Sequence, residues 1–146
     1  MMFNTENFLK EFHLVRPSCT PKAMALGRTQ SGLSSYGLIN EALKNVDGNI
    51  LDLACGDGYL LNEFILNGRA PTSLYGIDMS EGELLVARKN HPDINLSAGN
   101  ARALPFEGEI FAAVTCHMAF MLMPDVHEVV AEIRRVLRPR GIFVAI

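Results

Sequence analysis

The sequence predicts an α/β fold, a three-layer sandwich built on a mostly parallel sheet, and three observations carry that expectation. From Asn49 onward, short apolar runs alternate with longer amphipathic segments, as strands do when crossover helices join them. Residues 125–137 place Val126, Val129, Val130, Ile133, Val136 and Leu137 on one stripe at helical spacing. The 146 residues, 49% of them apolar and 20% charged, suffice for one domain with a real core and are too few for two.

Taken in order, residues 5–13 read as a helix, with Phe8, Leu9 and Phe12 at helical spacing and Thr5 as its N-cap. Pro17, Pro21, Gly27 and Gly32 then break regularity, and a second helix is expected over 34–45 with Leu38, Ile39, Ala42 and Leu43 on its apolar face. The strands are expected at 49–54, 73–78, 95–98, 110–117 and 142–146, and the helices between them at 59–66, 81–90 and 125–137. Pro139 and Gly141 are expected to stop the last helix. Residues 1–47 thus form an N-terminal helical lid or substrate segment, and 48–146 form the core of a single domain.

Charge and cysteine usage exclude several function classes. The net charge of −3 gives no basic field for nucleic acid or anionic lipid. Arg134, Arg135, Arg138 and Arg140 read as the solvated last turn of a helix, where cations complement the dipole. Cys19, Cys55 and Cys116 show no C-x-x-C spacing, which argues against a disulfide framework and a zinc site, so no metal is expected. The N-terminus lacks a long apolar stretch, and no apolar run approaches the ~18 residues of a membrane span. A cytoplasmic protein with no membrane partner is the resulting expectation.

In parallel α/β sheets, ligands lie beyond the carboxyl ends of the strands. There the first strand runs through Asp52 into a small-residue turn, Ala54-Cys55-Gly56-Asp57-Gly58, and then a helix. Gly56 and Gly58 can take backbone angles closed to other residues, and Ala54 and Gly56 let a ligand lie against the backbone. Free N–H groups at the following helix start can meet an anion. The second strand ends in Asp78, an acid at the separation that suits the two hydroxyls of a ribose. Taken singly, these are a tight turn and a helix-capping Asp78; together, each directly after a strand, they indicate an adenosine-bearing cofactor. A dinucleotide site wants G-x-G-x-x-G, and Leu61 stands where the third glycine belongs.

At this point the chain resembles the class I, Rossmann-like S-adenosylmethionine-dependent methyltransferases over about residues 38–146. Residues 50–59 are similar to the family's first motif, with Ala54 where glycine is usual; Ile77-Asp78-Met79-Ser80 is similar to the ribose-binding second motif. Gly99-Asn100-Ala101-Arg102 is similar to the adenine-contacting segment, with Asn100 in place of its usual acid. The stretch 132–141 is similar to the junction of the last helix and fifth strand, with Arg140 where glycine is common. The resemblance implies S-adenosylmethionine as cofactor and S-adenosylhomocysteine as product. It assigns the backbone around Ala54 and Gly56 to the cofactor's methionine portion, Asp78 to the ribose, Met79 to an adenine face, and Asn100 and Ala101 to the adenine edge; Asp52, Cys55, Gly58 and His117 complete the expected cofactor-binding set.

Methyl transfer needs alignment and dryness more than an acid or base, and no catalytic dyad is visible. His117, ending the fourth strand, is the candidate catalytic residue, either touching the cofactor or deprotonating the acceptor; its bland alternative is a hydrogen-bonded strand-end histidine. Cys55 and Cys116 read as small buried residues, and Met118, Met121 and Met123 with Phe120 as soft cleft lining or core. His13, His91 and His127 receive no role. The family's sheet usually has seven strands, whereas this sequence reaches Ile146 inside the fifth, so strands six and seven are missing; a longer native protein, a homodimer joined at the open edge, or a weakly stable monomer prone to aggregation is expected. The function expected is methylation of a small-molecule acceptor. The alternatives are a non-catalytic cofactor-binding or interaction module, and an NAD(P)-dependent oxidoreductase, which the loop spacing and the lack of a Tyr-x-x-x-Lys pair disfavour.

Overall fold

A computed structural model describes residues 4–146. The chain enters through three helices, α1 (Thr5–Val15), α2 (Cys19–Met24) and α3 (Ser35–Leu43). It then alternates β1 (Ile50–Leu53), α4 (Tyr59–Leu66), β2 (Leu74–Asp78), α5 (Glu81–Asn90), β3 (Asn95–Ala98), β4 (Phe111–Cys116), α6 (Val126–Val136) and β5 (Leu137–Ala145). All four strand pairings are parallel, in the order β3-β2-β1-β4-β5. Strands β1 and β4 lie inside the sheet, and every residue of both is buried. That placement explains why they read as continuous apolar runs rather than alternating ones.

Period-two alternation sends successive side chains to two cores. Ile50, Leu60, Leu61, Phe64, Leu74 and Leu84 pack with Ile39 and Leu43 on the face covered by α3, α4 and α5. Leu51, Leu53, Ile77 and Val114 pack with Val129, Ile133 and Val136 of α6 on the other. The chain starts at β1, builds outward to β3, then returns past β1 to β4. The direction therefore reverses between β1 and β4, and a crevice opens there above the strands' carboxyl ends.

Several boundaries differ from the sequence reading for local reasons. Asn4 rather than Thr5 caps α1, its Oδ1 accepting from the Asn7 N–H at 3.0 Å. Residues around Pro21 form the short helix α2, because a proline near a helix start leaves no bond unmade. Strand β5 begins at Leu137, paired with Phe111, without an intervening loop. Arg138, preceding a proline, is biased to extended backbone, so Pro139 shapes an irregularity within β5 rather than stopping the helix. Nor is the arginine group simply solvated. Arg135 donates to the Leu104 and Phe106 carbonyls at 3.0 and 2.7 Å, and Arg138 to the Asp47 carbonyl at 2.8 Å. Among the described residues no strand lies beyond β5, and no helix is long and apolar enough to cross a membrane.

Candidate cofactor site

The turn after β1 is set by three consecutive-but-one residues in left-handed backbone: Ala54 (φ 57°), Gly56 (φ 54°) and Gly58 (φ 81°). Such a conformation costs an alanine roughly 1–2 kcal/mol. The turn is tied down by Cys55 N–H to Ile77 O (3.0 Å) and Gly58 N–H to Cys55 O (3.0 Å). Asp78, at the end of β2, accepts from the Gly56 N–H through one oxygen and from the Ser80 N–H through the other, both at 2.8 Å. The acid and the glycine turn are thus one structure. Burial pushes the Asp78 carboxyl up from its ordinary value, while those two bonds pull it down. Ser80, not Asp78, caps α5, which leaves the remaining lone pairs of Asp78 for a ligand.

These groups border a cleft of ≈ 1200 Å³, counting the space open at its mouth. Asp52, Ala54, Cys55, Gly56, Asp78, Met79, Asn100, Ala101 and His117 all line it. Gly58 does not. A Cβ there would meet His91 Cδ2 at 3.3 Å and Ala87 Cβ at 3.4 Å, so this glycine serves the approach of α4 to α5. Above Gly56, by contrast, an added Cβ meets nothing nearer than the Glu83 carboxyl at 3.9 Å. The room over this turn is open, as an adenosyl ligand crossing the loop needs.

Asp52 keeps 2% of its surface exposed and accepts from the Thr115 hydroxyl at 2.8 Å. Burial pushes its carboxyl up to about 7, against the Thr115 bond. His117 is held by Ser35 Oγ at 2.7 Å from Nε2 and stacks on Tyr36, ring centroids 4.0 Å apart. Burial lowers its pKa, so the ring is neutral at pH 7. Asn100 Oδ1 accepts from the Arg102 N–H at 2.9 Å and from Arg102 Nε at 3.4 Å, shaping its own loop. Burial raises the Cys55 thiol and pushes Cys116 up to about 12, which keeps both protonated. Met118 and Met123 line the cleft, whereas Met121 faces outward.

The N-terminal segment closes over this cleft, bringing in residues that sequence reasoning passed over. Glu6, Leu9 and His13 of α1, with Thr20, Pro21 and Tyr36, form part of its wall. Arg102 reaches Glu6 at 3.0 Å and Asp125 at 2.6 Å, bridging α1 to the start of α6. Glu83, on the first turn of α5, accepts from His13 Nδ1 at 2.7 Å and from the Ser18 N–H at 2.9 Å. The signal in the sequence that points to it is a glutamate, Glu83, among the apolar positions Leu84 and Ala87 of one helix.

Fold and site together define a Rossmann-like α/β domain built for an adenosine-bearing cofactor. Residues 51–145 match the family described as Methyltransferase domain, and the chain belongs to this family of class I S-adenosylmethionine-dependent methyltransferases. Similar proteins include the demethylmenaquinone methyltransferase of Streptomyces avermitilis, 37% identical over 105 residues, which cover 69% of this chain and 44% of that one. The phthiotriol/phenolphthiotriol dimycocerosates methyltransferase of Mycobacterium tuberculosis is 31% identical over 96 residues, covering 64% and 35%. A solved S-adenosylmethionine-dependent methyltransferase from Mesorhizobium loti superposes with TM-score 0.65 at 28% identity, covering 74% of this chain and 50% of that one. The chain spans less than half the length of the two sequence relatives. Membership implies S-adenosylmethionine as the cofactor, and neither the non-catalytic nor the nicotinamide reading is favoured. Leu61, in the third-glycine position, is fully buried and packs over Gly76 of β2, so the chain lacks the glycine that close helix–strand packing requires in a dinucleotide fold.

Proposed function

We propose that this protein transfers the methyl group of S-adenosylmethionine to a small-molecule acceptor with an apolar body. The observation that carries this is the Asp78 carboxylate, bonded to the Gly56 N–H at 2.8 Å at the rim of the cleft, in a chain of this family. When bound, the cofactor supplies a methyl on a sulfonium, which an acceptor takes by in-line displacement. Asp78 would receive the ribose hydroxyls, Met79 would pack on a face of the adenine, and Asn100 and Ala101 would meet its edge. The turn from Ala54 to Gly56 makes room for the methionine portion, and the buried Asp52 carboxylate faces the cationic ammonium, which offsets its desolvation. His117, neutral and held by Ser35, takes the acceptor's proton where the acceptor has one to lose. Leu9, Pro21, Leu122 and Pro124 supply the dry wall against which the acceptor lies. Two similar proteins are named for methylation of demethylmenaquinone and of phthiotriol lipids, which supports an apolar acceptor. As a further partner we propose a second copy of the chain, paired along the edge of β5 that no described strand covers.

Calorimetry with S-adenosylhomocysteine, followed by turnover against apolar phenols and quinols, tests the reading. Binding of the product together with methylation of at least one such acceptor is expected. Absence of any S-adenosylhomocysteine binding by folded protein refutes the cofactor, and turnover confined to polar acceptors refutes the acceptor class.

A further inference from the structure

Three donor atoms from three different helices converge beside the cleft. They are His13 Nδ1 from the last turn of α1, Cys19 Sγ from the first residue of α2, and a Glu83 carboxylate oxygen from the first turn of α5. All lie within 4.8 Å of one another. His13 Nδ1 stands 2.7 Å from Glu83 Oε1 and 3.9 Å from Cys19 Sγ. The thiol and the carboxylate thus address the same ring nitrogen. A catalytic triad would use the two nitrogens of the ring separately, nucleophile on one and orienting acid on the other. Convergence of sulfur, nitrogen and oxygen on one point is instead the arrangement of a cation site.

We propose that His13, Cys19 and Glu83 bind one zinc-class divalent cation that clamps the N-terminal helices onto α5 beside the cofactor cleft. The donor set selects the metal class: thiolate and imidazole suit zinc, whereas calcium and magnesium want oxygen ligands. Ordinary zinc bond lengths in a tetrahedron place sulfur and nitrogen ligands about 3.6 Å apart, and nitrogen and oxygen ligands about 3.4 Å apart. The 3.9 Å separation lies about 0.3 Å beyond the first value, a shift that a side-chain rotation covers. The 2.7 Å separation is that of a proton shared where the cation would sit, and it opens by under an ångström when the metal replaces the proton.

The surroundings hold the ligands in place. Glu83 is 2% exposed, and its second oxygen accepts from the Ser18 N–H at 2.9 Å, an outer bond that orients the carboxylate. Gly82 lets α1 touch α5 backbone to backbone: a Cβ there would lie 2.8 Å from Leu14 Cα and 3.1 Å from His13 O. That close approach delivers His13 to Glu83. On binding, the thiol proton and the proton on His13 Nδ1 are given up, and His13 is left a neutral ligand with its one ring proton on Nε2. One thiolate and one carboxylate then balance the two charges of the metal, and a fourth tetrahedral position remains for water. The clamp is separate from methyl transfer, whose chemistry needs no metal.

Untagged, chelator-washed protein titrated with Co²⁺ and Zn²⁺ tests the site. One equivalent of Co²⁺ is expected to bind with a thiolate-to-metal charge-transfer band and the strong visible bands of tetrahedral coordination, and Zn²⁺ is expected to displace it. Cys19→Ala should abolish the charge-transfer band and weaken Zn²⁺ binding by at least about 100-fold, beyond the ~10–100-fold that loss of a supporting residue costs. Glu83→Gln should weaken binding comparably. Should either variant unfold, the wild-type chain still answers: Zn²⁺ should protect Cys19 from alkylation, read by peptide mass. Sub-stoichiometric uptake, a charge-transfer band surviving in Cys19→Ala, or equal alkylation with and without Zn²⁺ overturns the proposal. Cofactor binding by calorimetry is a separate readout, so failure here leaves the methyltransferase reading standing.

Discussion

Replacing Asp78 by alanine tests the join between the glycine turn and the second strand. The substitution removes the acceptor of two N–H groups, those of Gly56 and Ser80, each at 2.8 Å. Hydrogen bonds to a charged group contribute about 1.5–3 kcal/mol each. Burial already penalises the charged Asp78, as its raised pKa records, so the pair contributes less than its sum. A loss of about 2–4 kcal/mol follows, a lowering of Tm by about 10 °C for a domain of this size. Stability of about 5–15 kcal/mol leaves the variant folded. Affinity for S-adenosylhomocysteine falls by a second effect, the loss of bonds to the ribose, of about 3 kcal/mol or roughly 100-fold. Differential scanning calorimetry and isothermal titration separate the two. A variant that loses the expected Tm yet binds S-adenosylhomocysteine with unchanged Kd would show that Asp78 is a brace for the turn and nothing more.

Two further outcomes follow from the same geometry. Gly56→Val forces a branched residue to φ 54°, at a strain of about 1–2 kcal/mol, and fills the open room over the turn; circular dichroism should show a folded chain, and calorimetry no S-adenosylhomocysteine binding. Asp52 has a folded-state pKa of about 7, raised from an ordinary 3.8, so the folded state holds its proton more tightly than the unfolded one. The stability this contributes is complete below about pH 4 and lost as pH rises to about 7, and thermal melts of Asp52→Asn should show a flatter decline over that window than the wild type; parallel profiles would refute the shift.

The sheet was legible because two of its inner strands, β1 and β4, are buried on both faces. Continuous apolar runs at β1 and β4, punctuated by small residues, leave few alternatives to a parallel sheet. The elements α4, α5 and β3 occupy the residues their periodicity marks out. Boundaries failed where one residue type has two uses. Pro139 stops helices and also forces its predecessor into extended backbone, and the sheet exploits the second property by starting β5 at Leu137. Gly58 failed for the same kind of reason: positive φ was required there, and tight packing of α4 on α5 was the use made of it.

What sequence could not supply was the third dimension of the site's wall. His13, Cys19 and Glu83 have no ligand spacing along the chain, and their convergence depends on α1 lying against α5 through Gly82. The same holds for Arg102, whose bonds to Glu6 and Asp125 cross between segments that no local pattern connects. Local rules did mark two of the places where this chain departs from the pattern it resembles. Ala54 and Arg140 stand where glycine is common, and both adopt the left-handed backbone, at φ 57° and 64°, that makes glycine common there. The sheet pairing on either side must therefore over-determine these turns, holding two strained residues where a free chain would relax. At Ala54 that rigidity keeps the path along the first strand's end open to the cofactor.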